Sequence, residues 1–178
     1  MVEEDKVTHE LTSDEKLNAW GYGEWVEEAD TCSFTHHGYV CLVKRVFYKH
    51  LEDPTVIELG HFCGYIHLPR DHVWAGKGYG DIDCEIHGGL TFARGEEHGR
   101  NWIIGFDCAH SWDVCPGTEA VLRQSRLRMQ QGNPGIFRQW EYLFTRTYKN
   151  MEWVKNEVIS LVEQAMVAQE KANGRRET

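Results

Sequence analysis

Two stretches, GDIDCEIHGGLTFA (Gly80–Ala93) and NWIIGFDCAH (Asn101–His110), decide how this chain is read. Each has the alternation and the β-branched or aromatic content of a strand. Each also places Asp, Glu, His or Gly where a plain strand would carry Val or Thr. Side chains alternate between the two faces of a strand. Cys84, Ile86, Gly88 and Leu90 therefore share one face, and Asp83, Glu85, His87, Gly89 and Thr91 the other. In the second stretch Trp102, Ile104, Phe106 and Cys108 form the apolar face, opposite Ile103, Gly105 and Asp107.

A hairpin closed by ARGEEHGR, with Phe92 opposite Trp102, keeps the apolar sets together, as a buried face demands. That register sets Leu90 by Ile104, Gly89 by Gly105 and His87 by Asp107. The two glycines then make a bare backbone patch flanked by His, Asp, Glu and Thr, open to close approach of a ligand. A wet sheet face or a bulge would carry the same residues with no function attached. On the functional reading, a methyl added at Gly105 harms ligand binding more than it harms the fold.

Two further strands are predicted upstream, Gly38–Phe47 and His61–Leu68, the second stopped by Pro69. Residues 69–80 read as a loop rich in Gly and Pro, with GKGYGD as a flexible lid rather than a phosphate loop. After Pro116 the pattern turns helical. Trp140, Phe144, Thr147, Met151, Val154, Val158, Leu161, Ala165 and Ala168 alternate spacings of four and three, an a/d stripe of a long helix running from Ile136. At 1.5 Å per residue such a helix spans roughly 45–50 Å, more than one small domain covers, so its far end is expected to pair with a second subunit.

The fold class is thus α+β: an antiparallel sheet of about four strands followed by a long C-terminal helix. Residues 1–18 read as an acidic arm or short helix. Residues 19–178 read as one domain, with the sheet in 38–110 and the helical part in 117–172. A hydrophobic content of 41% over 178 residues is enough to build that core.

Charge and cysteine usage narrow the partners. The net charge of −9 argues against non-specific nucleic-acid binding. The charge is uneven: residues 1–30 hold ten acids against Lys6 and Lys16, while 120–150 hold Arg123, Arg126, Arg128, Arg138, Arg146 and Lys149 against Glu141 alone. The basic segment offers Arg123 and Arg126 to an anion, unless it is a solvated face or pairs with the acidic segment. Six cysteines without a CxxC pair read as free, mostly buried thiols of a cytoplasmic protein. No apolar run reaches the roughly 20 residues of a membrane span, so no membrane partner is expected.

The expected ligand site comprises Asp83, Glu85, His87, Gly88, Gly89, Thr91, Gly105, Asp107 and His110, with Trp74 for stacking and Arg123 and Arg126 for an anionic group. His87, Asp107 and His110 have the donor types of a divalent-cation site, and His61, His67 and His72 lie upstream. No recognised ligand spacing accompanies them, so no cofactor is assigned. A Cys108–His110 nucleophilic pair is the weaker chemistry.

The core GYIHLPRDHVWAGKGYGDIDCEIHGGLTFA…WIIGFDCAH resembles a family of small phage and prophage proteins. The shared marks are Gly64-Tyr65, Pro69, Asp81 with Asp83, His87–Thr91 and Ile104–His110, about 50 of 178 residues. The resemblance implies no particular reaction. It implies a phage setting, in which small accessory proteins counter host defence, some by sequestering nucleotide-derived immune signals such as cyclic ADP-ribose isomers or cyclic oligonucleotides. The expected function is binding of a small nucleotide-like ligand. The alternatives are a hydrolase using His87, Asp107 and His110, with or without a metal, and an inhibitor of a host protein.

Overall fold

The computed structural model describes residues 10–53, 55–96, 101–130 and 146–175. Five antiparallel strands, β1 (Thr31–His36), β2 (Tyr39–Lys49), β3 (Ile57–Pro69), β4 (Phe92–Gly95) and β5 (Asn101–Asp107), form one sheet in the order β1-β2-β3-β5-β4. Among the described residues three α-helices accompany it: α1 (Ser13–Trp20), α2 (Pro116–Gln130) and α3 (Met151–Gly174). The fold is α+β, with one strand more than the sequence suggested. The added strand, β1, pairs with β2 from Thr31↔Lys44 to His36↔Tyr39.

One sheet face takes α3. Cys41 and Val43 of β2, Phe62, Ile66 and Leu68 of β3, and Ile104 and Phe106 of β5 are buried together with Val154, Val158, Leu161, Val162 and Ala165 of α3. Gly64 lets the helix approach, because a Cβ there would lie 2.5 Å from Val158 Cγ2 and 2.6 Å from Phe106 Cε1. The helix begins at Met151, capped by the Asn150 side chain, which accepts from Trp153 N at 2.9 Å. It does not run through from Ile136: Thr147 sits in a β-bridge, and Trp140 and Phe144 lie outside the described residues. Its 24 residues span about 36 Å at 1.5 Å each. Val154, Val158, Leu161 and Ala165 are fully covered by the chain's own sheet, so the stripe does not by itself require a second subunit.

The third expected strand is the main correction. Only Phe92–Gly95 joins the ladder, and Phe92 pairs with Gly105, not Trp102. Residues 82–91 leave the sheet. Their burial still alternates: Ile82 and Leu90 are core, and Cys84 and Ile86 pack against it. Their backbone, however, is satisfied by α3. Gln164 accepts from Glu85 N and donates to Glu85 O, both at 2.7 Å, and Glu157 accepts from His87 N at 3.2 Å. A strand-like pattern was paired with helix side chains instead of a neighbouring strand.

The Gly105 patch is not bare. Tyr65 of β3 and Phe92 of β4 flank it in the sheet, and their rings meet edge to face at 5.5 Å. A Cβ at Gly105 would fall 2.4 Å from Tyr65 Cδ1 and 2.6 Å from the Gly64 carbonyl oxygen.

The acidic N-terminal stretch packs against the sheet through residues that include Leu11, Lys16 and Trp20. A capping box of Thr12 and Glu15 starts α1, and Trp20 ends it, buried and donating to the Ile57 carbonyl at 2.7 Å. Trp20 covers Gly60 where the β2–β3 register slips between Val46 and Phe47. Beneath it, the Arg45 side chain has no exposed surface. Its guanidinium pairs with Asp30 at 2.7 Å and Glu28 at 3.0 Å, donates to Gly60 O and Tyr148 Oη, and lies 4.0 Å from the Phe62 ring centroid. Among the described residues no helix is long and apolar enough to cross a membrane.

Two stability measurements follow from this packing. Arg45→Ala strands Asp30 and Glu28 without their buried partner and is expected to cost about 3–5 kcal/mol in denaturant unfolding. Gly105→Ala is expected to cost about 1–3 kcal/mol by overpacking against Tyr65 and the Gly64 carbonyl. A Gly105→Ala variant as stable as the parent would show that Tyr65 gives way freely.

Candidate functional site

Asp113 organises the site, and local turns bring its partners to it. After β5 the ladder continues one residue, with Cys108 N donating to Phe62 O at 3.0 Å, and then ends. The chain turns at His110–Asp113, where Asp113 N donates to His110 O at 2.9 Å and His110 N donates to Asp113 Oδ2 at 3.0 Å. A bridge to Thr147 fixes the turn from behind: Thr147 N donates to Trp112 O at 3.1 Å and Val114 N to Thr147 O at 3.0 Å. Pro116 then opens α2, a position where its missing N–H is no loss. The Asp113 side chain has no exposed surface.

His87 arrives from the other side on a second turn. Gly89 N donates to Ile86 O at 3.0 Å, and Gly88 takes φ +66° at the third position, the conformation a type II turn requires there. His87 Nε2 lies 3.0 and 2.9 Å from the two Asp113 oxygens, and His110 Nδ1 lies 3.0 Å from Oδ2. An ionised carboxylate only accepts, so an imidazole in its neutral form meets Asp113 by donating an N–H. That tautomer leaves His87 Nδ1 and His110 Nε2 as acceptors.

Indoles wall the centre. The His110 ring stacks on Trp112 at 4.9 Å and 5°, and Trp112 is 48% exposed. His87 meets His110 and Trp153 edge to face, both at 5.1 Å. Lys149 Nζ lies 4.5 Å from the Trp153 ring centroid. Buried His61 has Asp107, Asp113, His110 and Arg45 among its titratable neighbours, and its Nδ1 has no hydrogen-bond partner. Burial pulls its pKa down against the pull of Asp107 and Asp113, so the ring is held toward its neutral form.

The residues expected from sequence separate into groups. His87 and His110 come together, joined by Asp113 instead of Asp107. Asp107 sits opposite Cys63 in the ladder, and its Oδ1 accepts from Ala109 N at 3.0 Å. The register error explains the exchange: with 82–91 out of the ladder, nothing aligns His87 with Asp107. Gly88 and Gly89 shape the His87 turn, and Thr91 N donates to Gly105 O at 2.9 Å. Glu85 is held through its backbone by Gln164. Trp74 and Asp83 instead line a separate groove of about 520 Å³ along α3, with Val73, Gln164, Lys171 and Arg175.

Arg123 lies against Gly21 at the end of α1, and the Arg126 side chain is outside the described residues. His67 pairs with Glu96 at 3.4 Å and His72 with Ala165 O at 3.0 Å, so neither joins the centre. Cys108 is no nucleophile here: burial, and then the nearby Asp113 carboxylate, push its thiol well above the ordinary range. Asp113, Trp112 and Trp153 were missed. The available signal was the His110-x-x-Asp113 spacing around an exposed Trp.

Comparison with protein-family models, curated proteins and solved structures finds no match to this chain.

Gly88 is expected to be the sensitive member of the glycine pair. A Cβ at Gly88 would lie 2.0 Å from His110 Cε1 and Nε2, whereas one at Gly89 meets nothing within 4 Å. Both positions have positive φ, so each alanine carries a conformational cost of about 1–2 kcal/mol. Only Gly88→Ala should add a steric loss and shift the His110 imidazole ¹⁵N resonances. Equal unfolding free energies and unchanged His110 resonances in the two variants would refute this account of the turn.

Proposed function

We propose that the protein binds a small polar, nucleotide-like ligand at the His87–His110–Asp113 centre. The observation that supports this best is the parallel His110–Trp112 stack with its half-exposed indole, anchored through His110 to a fully buried carboxylate. An aromatic face that is rigid and open to solvent suits a base, and such stacking is worth about 1–3 kcal/mol per base. Lys149, beside Trp153, offers a cation to a phosphate. The unprotonated nitrogens of the two imidazoles offer acceptors to ribose hydroxyls. Together with the resemblance to phage proteins, the reading extends to sequestration of a nucleotide-derived immune signal.

A hydrolase acting on the same ligand class is the second reading. It is favoured by the two imidazoles oriented by one carboxylate, which suits one ring to take a proton and the other to give one.

Titrating the protein with cyclic ADP-ribose and cyclic dinucleotides, with tryptophan fluorescence as readout, tests both. Binding should be saturable, and Trp112→Ala should weaken it at least tenfold, about 1.4 kcal/mol. Ligand recovered intact after denaturing the complex supports sequestration, and altered ligand supports hydrolysis. Absence of binding across the panel, or full affinity in both Trp112→Ala and His87→Ala, would remove the proposal.

A further inference from the structure

We infer that His87 Nε2, His110 Nδ1 and the Asp113 carboxylate form a binding site for one divalent transition-metal ion of the zinc class. The inference uses the same centre as the nucleotide reading, but it would survive the loss of that ligand.

The donor set is the first ground. Two imidazole nitrogens and one carboxylate suit Zn²⁺, Fe²⁺ or Co²⁺. Magnesium and calcium favour all-oxygen shells and are poorly served. The three donor atoms lie within 4.8 Å of one another, with Nε2 and Nδ1 at 2.9 and 3.0 Å from Asp113 Oδ2. Ligands of a tetrahedral ion with bonds of about 2.1 Å sit roughly 3.4 Å apart. Moving each nitrogen a few tenths of an ångström away from Asp113 Oδ2 brings both of these pairs to that spacing. The ion takes the place of the two N–H protons that now bridge rings and carboxylate, and in neutral imidazoles those protons move to His87 Nδ1 and His110 Nε2.

The second ground is how firmly each donor is held. Asp113 is clipped between the His110 turn and Thr147, and the His110 amide donates to its Oδ2. His87 is fixed by its turn and by Glu157, and His110 by the Trp112 stack. Backing contacts of this kind hold metal ligands in place.

The third ground is exposure. The Asp113 side chain is wholly covered, while those of His87 and His110 keep 12% and 19% of their surface. Two partly exposed imidazoles over a buried carboxylate make three protein ligands and leave a coordination position for water or ligand, the pattern of a working metal site and not of a closed structural one. The Glu157 carboxylate at the His87 amide and the nearby Asp107 add negative charge around it.

The test uses the full chain, stripped with a chelator and kept reduced, and Zn²⁺ and Co²⁺ alone as probes. Calorimetry and elemental analysis should give one Zn²⁺ per chain, with no uptake of Mg²⁺ or Ca²⁺ and a rise in Tm of several degrees. The Co²⁺ spectrum should show d–d bands without thiolate charge transfer, which separates this site from the cysteines. His87→Gln and His110→Gln, each checked for a folded spectrum, should weaken Zn²⁺ at least tenfold. Failure to bind Zn²⁺, a thiolate band, or parental affinity in both glutamine variants would overturn the inference. Nucleotide titration of the stripped and loaded protein reads the ligand proposal separately: zinc uptake without nucleotide binding leaves the metal site standing.

Discussion

The buried Arg45 guanidinium is the constraint on which most of the architecture leans. It lies on the helix-facing side of β2, between the rings of Phe62 and Trp20. A charge this deep must have its donors answered, because desolvation otherwise outweighs what packing returns. The answers come from distant parts of the chain: Asp30 and Glu28 before β1, the Gly60 carbonyl in the bulged part of β3, and Tyr148 just ahead of α3. Asp30 also accepts from Leu11 N and pairs with Lys16 at 2.9 Å. Much of the acidic N-terminal charge is therefore structural. Among the described residues, Asp30 and Glu28 share Arg45 of the sheet as a cation, and Asp30 also pairs with Lys16.

The same network reaches the candidate centre through a few residues. Tyr148 is one step from Thr147, lying between the β-bridge to Asp113 and the Asn150 cap of α3. Glu28 accepts from Met151 N at 2.9 Å, holding the first turn of that helix. Further along, α3 presents Glu157 and Gln164 to the segment carrying His87. The two halves of the site thus hang from one helix. Thr147 fixes Asp113 just ahead of it, and Glu157 and Gln164 fix His87 along its length. The placement of His87 against Asp113 depends on packing of α3 across the sheet more than on the loops themselves.

How much of this was legible depends on which interaction decides each element. β2, β3 and β5 follow from runs of Val, Ile, Phe, Tyr and Trp, because apolar strands have few other places to go. The buried alternation of Ile82, Cys84, Ile86 and Leu90 was legible for the same reason. What period 2 cannot say is who accepts the backbone hydrogen bonds, and Gln164 and Glu157 lie about seventy to eighty residues further on. The helix start at Met151 was hidden because Trp140, Phe144 and Thr147 continue the a/d spacing upstream. Only Asn150 marks the break, as a cap. The site was half legible. His87 and His110 were identified as polar residues out of place in strands, but Asp113 lies in a turn that the strand register could not reach.

That failure answers the question the two opening stretches raise. Gly88, Gly89, His87 and His110 look wrong in a strand because they are not in one. Each imidazole stands in a turn outside the ladder: His87 on the Ile86–Gly89 turn, His110 at the start of the His110–Asp113 turn. In the ladder, backbone groups are taken and side chains are fixed perpendicular to the sheet. In this register no ladder pairing joins the segments that carry His87 and Asp113, which lie 26 residues apart. Turns release that restriction locally, and the second glycine atom-count matters less than the space above Gly88, which the His110 ring occupies. Gly105, the other glycine that looked like a ligand floor, shows the opposite use of the same residue: its missing side chain is filled from within by Tyr65. An interior glycine in this sheet marks where something approaches closely, and only the neighbouring strand says whether that something is a ligand or the protein's own ring.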